Sequence, residues 1–144
     1  MSTDEMEELL ASALAGRLGM CKNNQPYVVP VCFLYHDGRI FFHSARQGRK
    51  IDFMRANPSV CFQVDEHSLA SSSKPCKFSM NYHSVVAVGG VRFLTDSNEK
   101  LRILKLLVRK YDTGNLAELL SERKTNRVEV GEITITEISG KKNE

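Results

Sequence analysis

Hydrophobic residues at the start of the chain recur every three or four positions, the spacing of one face of a helix. Ser2 and Glu5 stand in the arrangement of a capping box ahead of this pattern. Gly16 follows it and is expected to end the helix. The predicted apolar face consists of Met6, Leu9, Leu10, Ala13 and Leu14.

Three short runs rich in β-formers come next, and turn-forming residues separate them. They cover residues 17–22, 27–35 and 39–44. The dipeptide Asp37-Gly38 lies between the second and third runs, and it is favoured in tight β-hairpins. The pattern therefore predicts three consecutive antiparallel strands.

The middle of the chain is predicted to hold a short helix and two more strands. Residues 47–56 have helical spacing, whereas residues 59–65 and 82–94 alternate as strands do. Gly89-Gly90 within the longer strand predicts a bulge or a sharp bend. Residues 66–80 are predicted to form the one loop long enough to be mobile or functional.

The C-terminal part is predicted to contain two helices and a final strand, over about residues 97–110, 116–123 and 128–138. The charged residues in the final strand favour a sheet edge or a half-exposed face. The chain then has about six strands and three or four α-helices. This mainly β pattern with helical additions predicts an antiparallel barrel, because a Rossmann sheet would alternate strand and helix throughout.

Composition is that of one globular domain spanning residues 1–144. Hydrophobic residues make up 42% and charged residues 26% of the chain, and the mean hydropathy is −0.28. No apolar run approaches the roughly 20 residues of a membrane span. The N-terminal residues are acidic, whereas a targeting peptide would be basic. We therefore expect a cytoplasmic protein with no membrane partner.

The four cysteines are Cys21, Cys32, Cys61 and Cys76, and their scatter does not match the ligand spacing of a zinc site. No metal site is predicted. The first three lie in apolar, strand-like surroundings, where a thiol usually acts as a small buried hydrophobe. We expect all four to be reduced, because neither a secretion signal nor a metal motif is present.

Common catalytic motifs are absent from the sequence. The histidines, at positions 36, 43, 67 and 83, do not cluster. Neither a nucleophile elbow nor either of the usual glycine-rich phosphate loops occurs. Composition and periodicity alone thus indicate a globular antiparallel barrel and nothing further about its chemistry.

Charge is unevenly spread, although the net formal charge is only +3. Residues 39–55 carry five basic side chains and one acidic one, and three of the bases, Arg46, Arg49 and Lys50, lie at the predicted start of a helix. Cations there oppose the helix dipole, whereas an anion is favoured there. The segment is either an anion-binding site or a solvated basic turn, and the residues by themselves leave both open.

Two stretches give the chain a family resemblance. Residues 26–58, which include Phe41-Phe-His-Ser-Ala-Arg-Gln-Gly-Arg-Lys50, and residues 82–94 resemble the flavin-binding split-barrel family typified by pyridoxamine 5′-phosphate oxidase. The similarity is greater to its small, nitroimidazole-resistance-like branch. The resemblance implies a split β-barrel that forms a homodimer, with FMN at the subunit interface.

The resemblance also implies roles for particular residues. Val28, Val29, Pro30 and Val31 would line the flavin ring, largely through backbone groups, although plain barrel core is their alternative role. His43, Ser44, Arg49 and Lys50 would hold the ribityl-phosphate end. Tyr82 and Ser84 would reach the cofactor from the partner chain, or would form an ordinary strand face. His43 would be either a catalytic residue in redox chemistry or a hydrogen-bonding one.

Three functions follow from these observations. The first is an FMN-dependent oxidoreductase that passes electrons from a reduced nicotinamide or another donor to a small flat acceptor such as a nitroaromatic. The second is a non-catalytic protein that binds flavin or another ligand. The third, a nucleic-acid-binding barrel, ranks last because the adjacent Phe41 and Phe42 point to opposite faces of a strand. The chain lacks tryptophan and the C-terminal arginine-rich motif of the true oxidases, so the resemblance does not imply pyridoxal phosphate synthesis.

Overall fold

One antiparallel sheet of seven strands and four α-helices make up the computed structural model, which describes residues 1–144 except the side chain of Cys76. The strands are β1 Gly16–Lys22, β2 Gln25–Val31, β3 Leu34–His36, β4 Arg39–Ala45, β5 Ser59–Ala70, β6 Ser79–Phe93 and β7 Val128–Asn143. The helices are α1 Thr3–Ser12, α2 Arg49–Ala56, α3 Ser97–Tyr111 and α4 Glu122–Thr125, and Pro75–Lys77 and Leu116–Leu119 form 3₁₀ turns.

The strands follow the order β2-β1-β5-β6-β7-β4-β3 in the sheet. The two edge strands, β2 and β3, are consecutive in the chain and are separated only by Cys32 and Phe33. The sheet must therefore curl round to bring its two edges together, although these edges do not pair in the part of the chain described. The predicted split barrel, mainly β with helices, is confirmed, with seven strands where about six were expected.

The extra strand arises because the predicted run 27–35 divides at Phe33. The Phe33 amide donates to the Tyr111 hydroxyl at 3.1 Å, and its carbonyl accepts from the Lys110 ammonium at 2.9 Å. The ammonium also lies 3.8 Å from the centroid of the Phe33 ring, and burial lowers its pKa to about 8. Contacts to α3 thus replace ladder hydrogen bonds at this residue, and the strand is interrupted.

Hydrophobic residues pack on both faces of the curled sheet. Phe33, Phe42 and Phe62 are fully buried in the interior. Phe41 points outward on the same strand as Phe42 and packs against α3, in a second cluster with Ile103 and Leu107. The alternation of side chains along β4 therefore supplies the barrel core and the helix contact at once. Only part of the outer face of the sheet is covered by α3.

Nearly half of the predicted loop 66–80 belongs to the two strands of a β-hairpin. The ladder between β5 and β6 continues to the pair Ala70 and Ser79, so residues 71–78 alone connect the strands. The side chains of residues 66–69 are all exposed, which removes the alternation of buried and exposed residues that identifies a strand from sequence. Backbone pairing extends the hairpin beyond the hydrophobic core.

The final strand is longer than predicted and lies inside the sheet, between β6 and β4. The prediction of an edge was wrong, whereas a half-exposed face is observed. One of the acidic residues that suggested an edge, Glu132, is buried and accepts from the Arg92 guanidinium at 2.9 and 3.2 Å. Its pairing with Arg92 accounts for a carboxylate in an internal strand.

Several local predictions are confirmed. Ser2 and Glu5 form the capping box of α1, with hydrogen bonds of 2.6 and 3.2 Å, although the helix ends at Ser12 before Gly16 is reached. A register shift between Val88 and Gly89 is the expected bulge. The predicted helix 116–123 is instead a 3₁₀ turn followed by α4, because Ser121 caps a new helix start.

The cysteines differ from expectation in their burial. Cys32 and Cys61 are exposed, and Cys21 is partly buried. The reason for Cys61 is alternation, since its neighbours Val60 and Phe62 take the interior positions of β5. All three are free thiols, as expected, while the expectation for Cys76 lies outside the described side chains. Among the described residues, no helix is long and apolar enough to cross a membrane, and no group of metal-binding side chains is present.

Candidate functional site

The turn from β4 into α2 forms the first part of the candidate site. Gly48 precedes the helix with a φ of 137°, a conformation that side chains rarely adopt. None of the described side chains caps the helix start. The first amides of α2 therefore have no side-chain acceptor among the described residues, and Arg49 and Lys50 occupy the first two helical positions. This is a local environment that favours an anion.

The cations of this turn divide into two pairs. Arg46 and Arg55 lie 3.9 and 3.6 Å from the Glu129 carboxylate, which is 15% exposed. Arg49 and Lys50 take part in none of the ion pairs among the described side chains. Of the three cations at the predicted helix start, Arg46 thus pairs with a carboxylate, while Arg49 and Lys50 have no carboxylate partner among the described side chains.

The Arg49 side chain is exposed, but a contact with an aromatic ring restricts its position. Its guanidinium carbon lies 5.1 Å from the centroid of the Tyr27 ring, a cation–π contact. That ring in turn lies 5.4 Å from the ring of Phe53 on the same helix. β2 and α2 are therefore joined at the end of α2 that carries the cations.

His43 and Ser44 occupy opposite faces of β4. Ser44 is 6% exposed and faces the interior, on the same side of the strand as Phe42. His43 faces outward, toward α3. Burial lowers the pKa of His43, and the nearby Lys50 charge lowers it further. The imidazole is therefore neutral at neutral pH, and it links the basic helix start to the outer face of the barrel.

His43 also lines a cavity of about 540 Å³ between α3, the 3₁₀ turn Leu116–Leu119 and the sheet. Its walls are mostly apolar, and its polar side chains are Cys32, Tyr111, Asp112 and Lys124. This volume falls in the range of sites that take small organic molecules. The apolar wall consists of Leu104, Leu107, Val108, Leu116, Leu120 and Val128.

The predicted ring-lining residues of β2 alternate between two faces. Val28 is 63% exposed and Pro30 is also exposed, whereas Val31 is buried and Val29 packs against the interior. Half of this set is therefore available on the outer face, and the other half contributes to the barrel core. β2 also lies at an edge of the sheet, so its backbone groups on one side face no other strand of the described sheet.

Tyr82 and Ser84 lie on the outer face of β6, away from the basic turn. Ser84 accepts a hydrogen bond of 3.1 Å from Gln63, and Tyr82 pairs across the ladder with His67. β6 stands three strands from β2 in the sheet, which is about 14 Å. The structure thus brings Arg49, Lys50 and His43 together within one chain, and it places Tyr82 and Ser84 elsewhere on the surface.

The pH response of His43 is expected to differ from that of His83. The pKa of His83 is raised by hydrogen bonds to Glu144 and Glu66, whereas that of His43 is lowered by burial and by Lys50. Because the pKa of His43 is lower in the folded protein, the unfolded chain binds this proton at a higher pH than the folded protein does. The free energy of unfolding therefore decreases as pH falls below about 6.5. His83 contributes in the opposite sense, and its stabilisation is lost as pH rises above 6.5 through its folded-state pKa.

NMR titration of the imidazole signals checks this expectation. We expect His43 to titrate below about 6.5 and His83 above it. Lys50→Met should move the His43 midpoint upward while leaving that of His83 in place. A His43 midpoint above that of His83 would contradict the described environment.

Proteins of known sequence or structure are similar to this chain. Residues 2–142 match the pyridoxamine 5′-phosphate oxidase family. An uncharacterized protein of Rhizobium meliloti (strain 1021) is 30% identical over 125 residues, which cover 85% of this chain and 79% of that protein. A proposed 5-nitroimidazole antibiotic resistance protein from Bacteroides thetaiotaomicron superposes with a TM-score of 0.85 at 27% identity, over 96% of this chain and 82% of that one.

A third relative is an FAD-binding protein from Mesorhizobium loti. It is 29% identical, with a TM-score of 0.74, and the match covers 100% of this chain and 96% of that one. The matched region contains the β4–α2 turn, the cavity beside α3 and the strands that carry the predicted contacts. The chain belongs to the pyridoxamine 5′-phosphate oxidase family.

Proposed function

We propose that this chain binds FMN through its phosphate at the start of α2. Arg49 would give paired hydrogen bonds to the phosphate, and Lys50 would add a second positive charge. The uncapped amides of α2 supply further donors. The flavin-binding relative from Mesorhizobium loti supports a flavin, and two cations outside the protein's own ion pairs suit a single phosphate dianion.

The ring end of the cofactor would lie on the outward-facing residues of β2. Val28 and Pro30 are exposed there, and the edge of the strand offers backbone groups. Ser44 lies near the end of β4, just before the turn, and is buried on the inner face of the strand. The donor set and the apolar strand face thus fit a flavin.

We further propose that the chain is an oxidoreductase whose acceptor enters the cavity beside α3. One observation carries this proposal: His43 lines the mostly apolar cavity beside α3, close to the basic start of α2. When bound, the flavin supplies the electron-transfer chemistry. The chain's own part is to exclude water with α3, to orient the acceptor against Leu107 and Val108, and to hold or release a proton at the imidazole.

The apolar walls define the class of acceptor. A charged molecule buried there without a partner would lose solvation, whereas a flat, weakly polar one would not. Nitroaromatics and quinones have this character. A reduced nicotinamide is the proposed electron donor.

Anaerobic stopped-flow on chemically reduced, FMN-loaded protein tests the reaction. We expect reoxidation that depends on the concentration of a nitroimidazole or a quinone, and slower reoxidation in His43→Gln with FMN still bound. Failure of every acceptor tried would favour the second candidate function, a non-catalytic flavin-binding protein. Reoxidation at an unchanged rate in His43→Gln would remove the proposed role of the histidine.

We also propose that two copies of the chain pair through the uncovered outer face of the sheet. Cross-strand register places Val28, Gly19, Cys61 and Val88 in one row over four strands, and Val28 and Val88 are 63% and 38% exposed. Tyr82 and Ser84 lie on this same face, since they precede Val88 at even spacing along β6. A second copy would cover the row and could bring Tyr82 and Ser84 to the partner's flavin.

Light scattering at micromolar concentration tests the pairing. We expect a mass of two chains, and we expect Val88→Glu to yield monomers because a charge would be placed in the apolar row. A wild-type monomer that binds FMN tightly would overturn the shared site.

A further inference from the structure

Tyr27 lies between two side chains that are one turn apart on α2. Its ring centroid is 5.1 Å from the Arg49 guanidinium carbon and 5.4 Å from the centroid of the Phe53 ring. Arg49 and Phe53 stand four positions apart and therefore project from the same side of the helix. A single aromatic side chain of β2 thus contacts both the cation and the apolar part of this helix face.

The contact to Arg49 matters because nothing else described fixes that side chain. The residue is exposed, and none of the ion pairs among the described residues involves it. A free arginine samples many rotamers, and ordering it on ligand binding costs conformational entropy. The face of an aromatic ring attracts a guanidinium and restricts where it lies. The ordering is therefore partly complete before a ligand arrives.

We propose that Tyr27 is a positioning residue for the phosphate contact: its ring holds Arg49 over the start of α2, so that the guanidinium is placed to meet a phosphate. The inference rests on the proposed function, in which Arg49 binds the phosphate of FMN. Tyr27 acts through Arg49 in this arrangement and is not itself a phosphate ligand. Its effect is confined to ligands that carry the phosphate.

If Tyr27 served packing alone, its replacement would have different effects on flavin binding. The ring also packs with Phe53 against the hydrophobic interior, and this packing needs apolar volume. Leucine supplies much of that volume but has no π face. If Tyr27 serves packing alone, its replacement by leucine changes stability, or changes the binding of all flavins equally. Positioning of Arg49 changes the binding of FMN and leaves riboflavin, which lacks the phosphate, as it was.

The experiment measures the Kd values of FMN and riboflavin for the wild type, Tyr27→Leu, Tyr27→Phe and Phe53→Leu. We expect Tyr27→Leu to weaken FMN binding about two- to fivefold, the range of an exposed cation–π contact, with no change for riboflavin. Tyr27→Phe retains the ring face and should bind FMN within about twofold of the wild type. Phe53→Leu is the matched control, because it removes the neighbouring ring without touching Arg49, and its ratio of the two Kd values should equal that of the wild type.

The outcomes separate this inference from the proposed function. Equal Kd values of FMN and riboflavin in the wild type would overturn the phosphate site itself. A wild type that prefers FMN, with the same preference in Tyr27→Leu, would overturn only the positioning role. If Tyr27→Leu does not fold, fluorinated phenylalanines in place of Tyr27 keep the shape and weaken the ring quadrupole. FMN affinity should then fall as fluorine is added, and a constant affinity would overturn the proposal.

Discussion

Replacement of both Arg49 and Lys50 by alanine is expected to weaken FMN binding by about 2–5 kcal/mol, the loss of charge-assisted bonds to an ion. Both cations lie at the uncapped start of α2, outside the ion pairs that tie Arg46 and Arg55 to Glu129. In the double variant the amides at the helix start remain as hydrogen-bond donors to the phosphate. The two positive charges that would compensate the phosphate charge are lost. Isothermal titration or fluorescence quenching of the flavin measures the effect.

Riboflavin and a second variant are the controls for this prediction. Riboflavin lacks the phosphate, so its affinity should be nearly the same in the wild type and in the double variant. Arg102→Ala combined with Lys105→Ala removes the same amount of charge from α3 and should leave FMN binding within about twofold, because distant surface charges are screened by salt. Equal losses in the two double variants would show a general charge effect and would contradict a phosphate site at α2.

Local patterns were sufficient to predict most elements of the fold, because caps, turns and alternation are encoded within a few residues. The capping box at Ser2 and the bulge at Gly89 are of this kind. The position of β7 between β6 and β4 is not, since it depends on pairing with strands far along the chain. Buried Glu132 gave the misleading signal, because its partner Arg92 belongs to another strand.

Some features of the candidate site could likewise be predicted from the sequence, and others could not. Arg49 and Lys50 could be identified from sequence, because cations at a helix start oppose its dipole unless an anion is bound. The pairing of Arg46 with Glu129 could not, since the carboxylate belongs to β7. The cavity beside His43 was also missed, because it forms only where α3 packs on the outer face of β4. A signal for it existed in α3, whose residues Leu104, Val108 and Tyr111 share one helix face and line the cavity.

Tyr27 left no distinct signal in the sequence. An aromatic residue in a strand is most often a packing residue, and this one does pack against the interior. Its second contact requires that α2 lie beside β2 with Arg49 at the near end. The sequence predicts each element but not how α2 packs beside β2, which depends on tertiary contacts such as those that bury Ile51 and Met54.

The glycine pair in β6 leads to the second prediction with a large effect. A Cβ added at Gly89 would overlap the backbone carbonyl oxygen of Thr134 on β7, and backbone in the middle of a sheet cannot move aside as a flexible side chain can. A Cβ at Gly90 would meet nothing within 4 Å. The bulge between Val88 and Gly89 therefore depends on the first glycine and tolerates a side chain at the second.

Gly89→Ala is accordingly expected to lower the free energy of unfolding by about 2–3 kcal/mol, the upper part of the range of overpacking in a closely packed interior. Gly90→Ala is its matched control and should change stability by less than about 1 kcal/mol, since loss of backbone freedom in the unfolded chain offsets any strain. Urea denaturation of the two variants and the wild type measures both values. Equal stabilities of the two alanine variants would show that the strands can separate at the bulge, and the close approach of β6 to β7 would then not be a determinant of the fold.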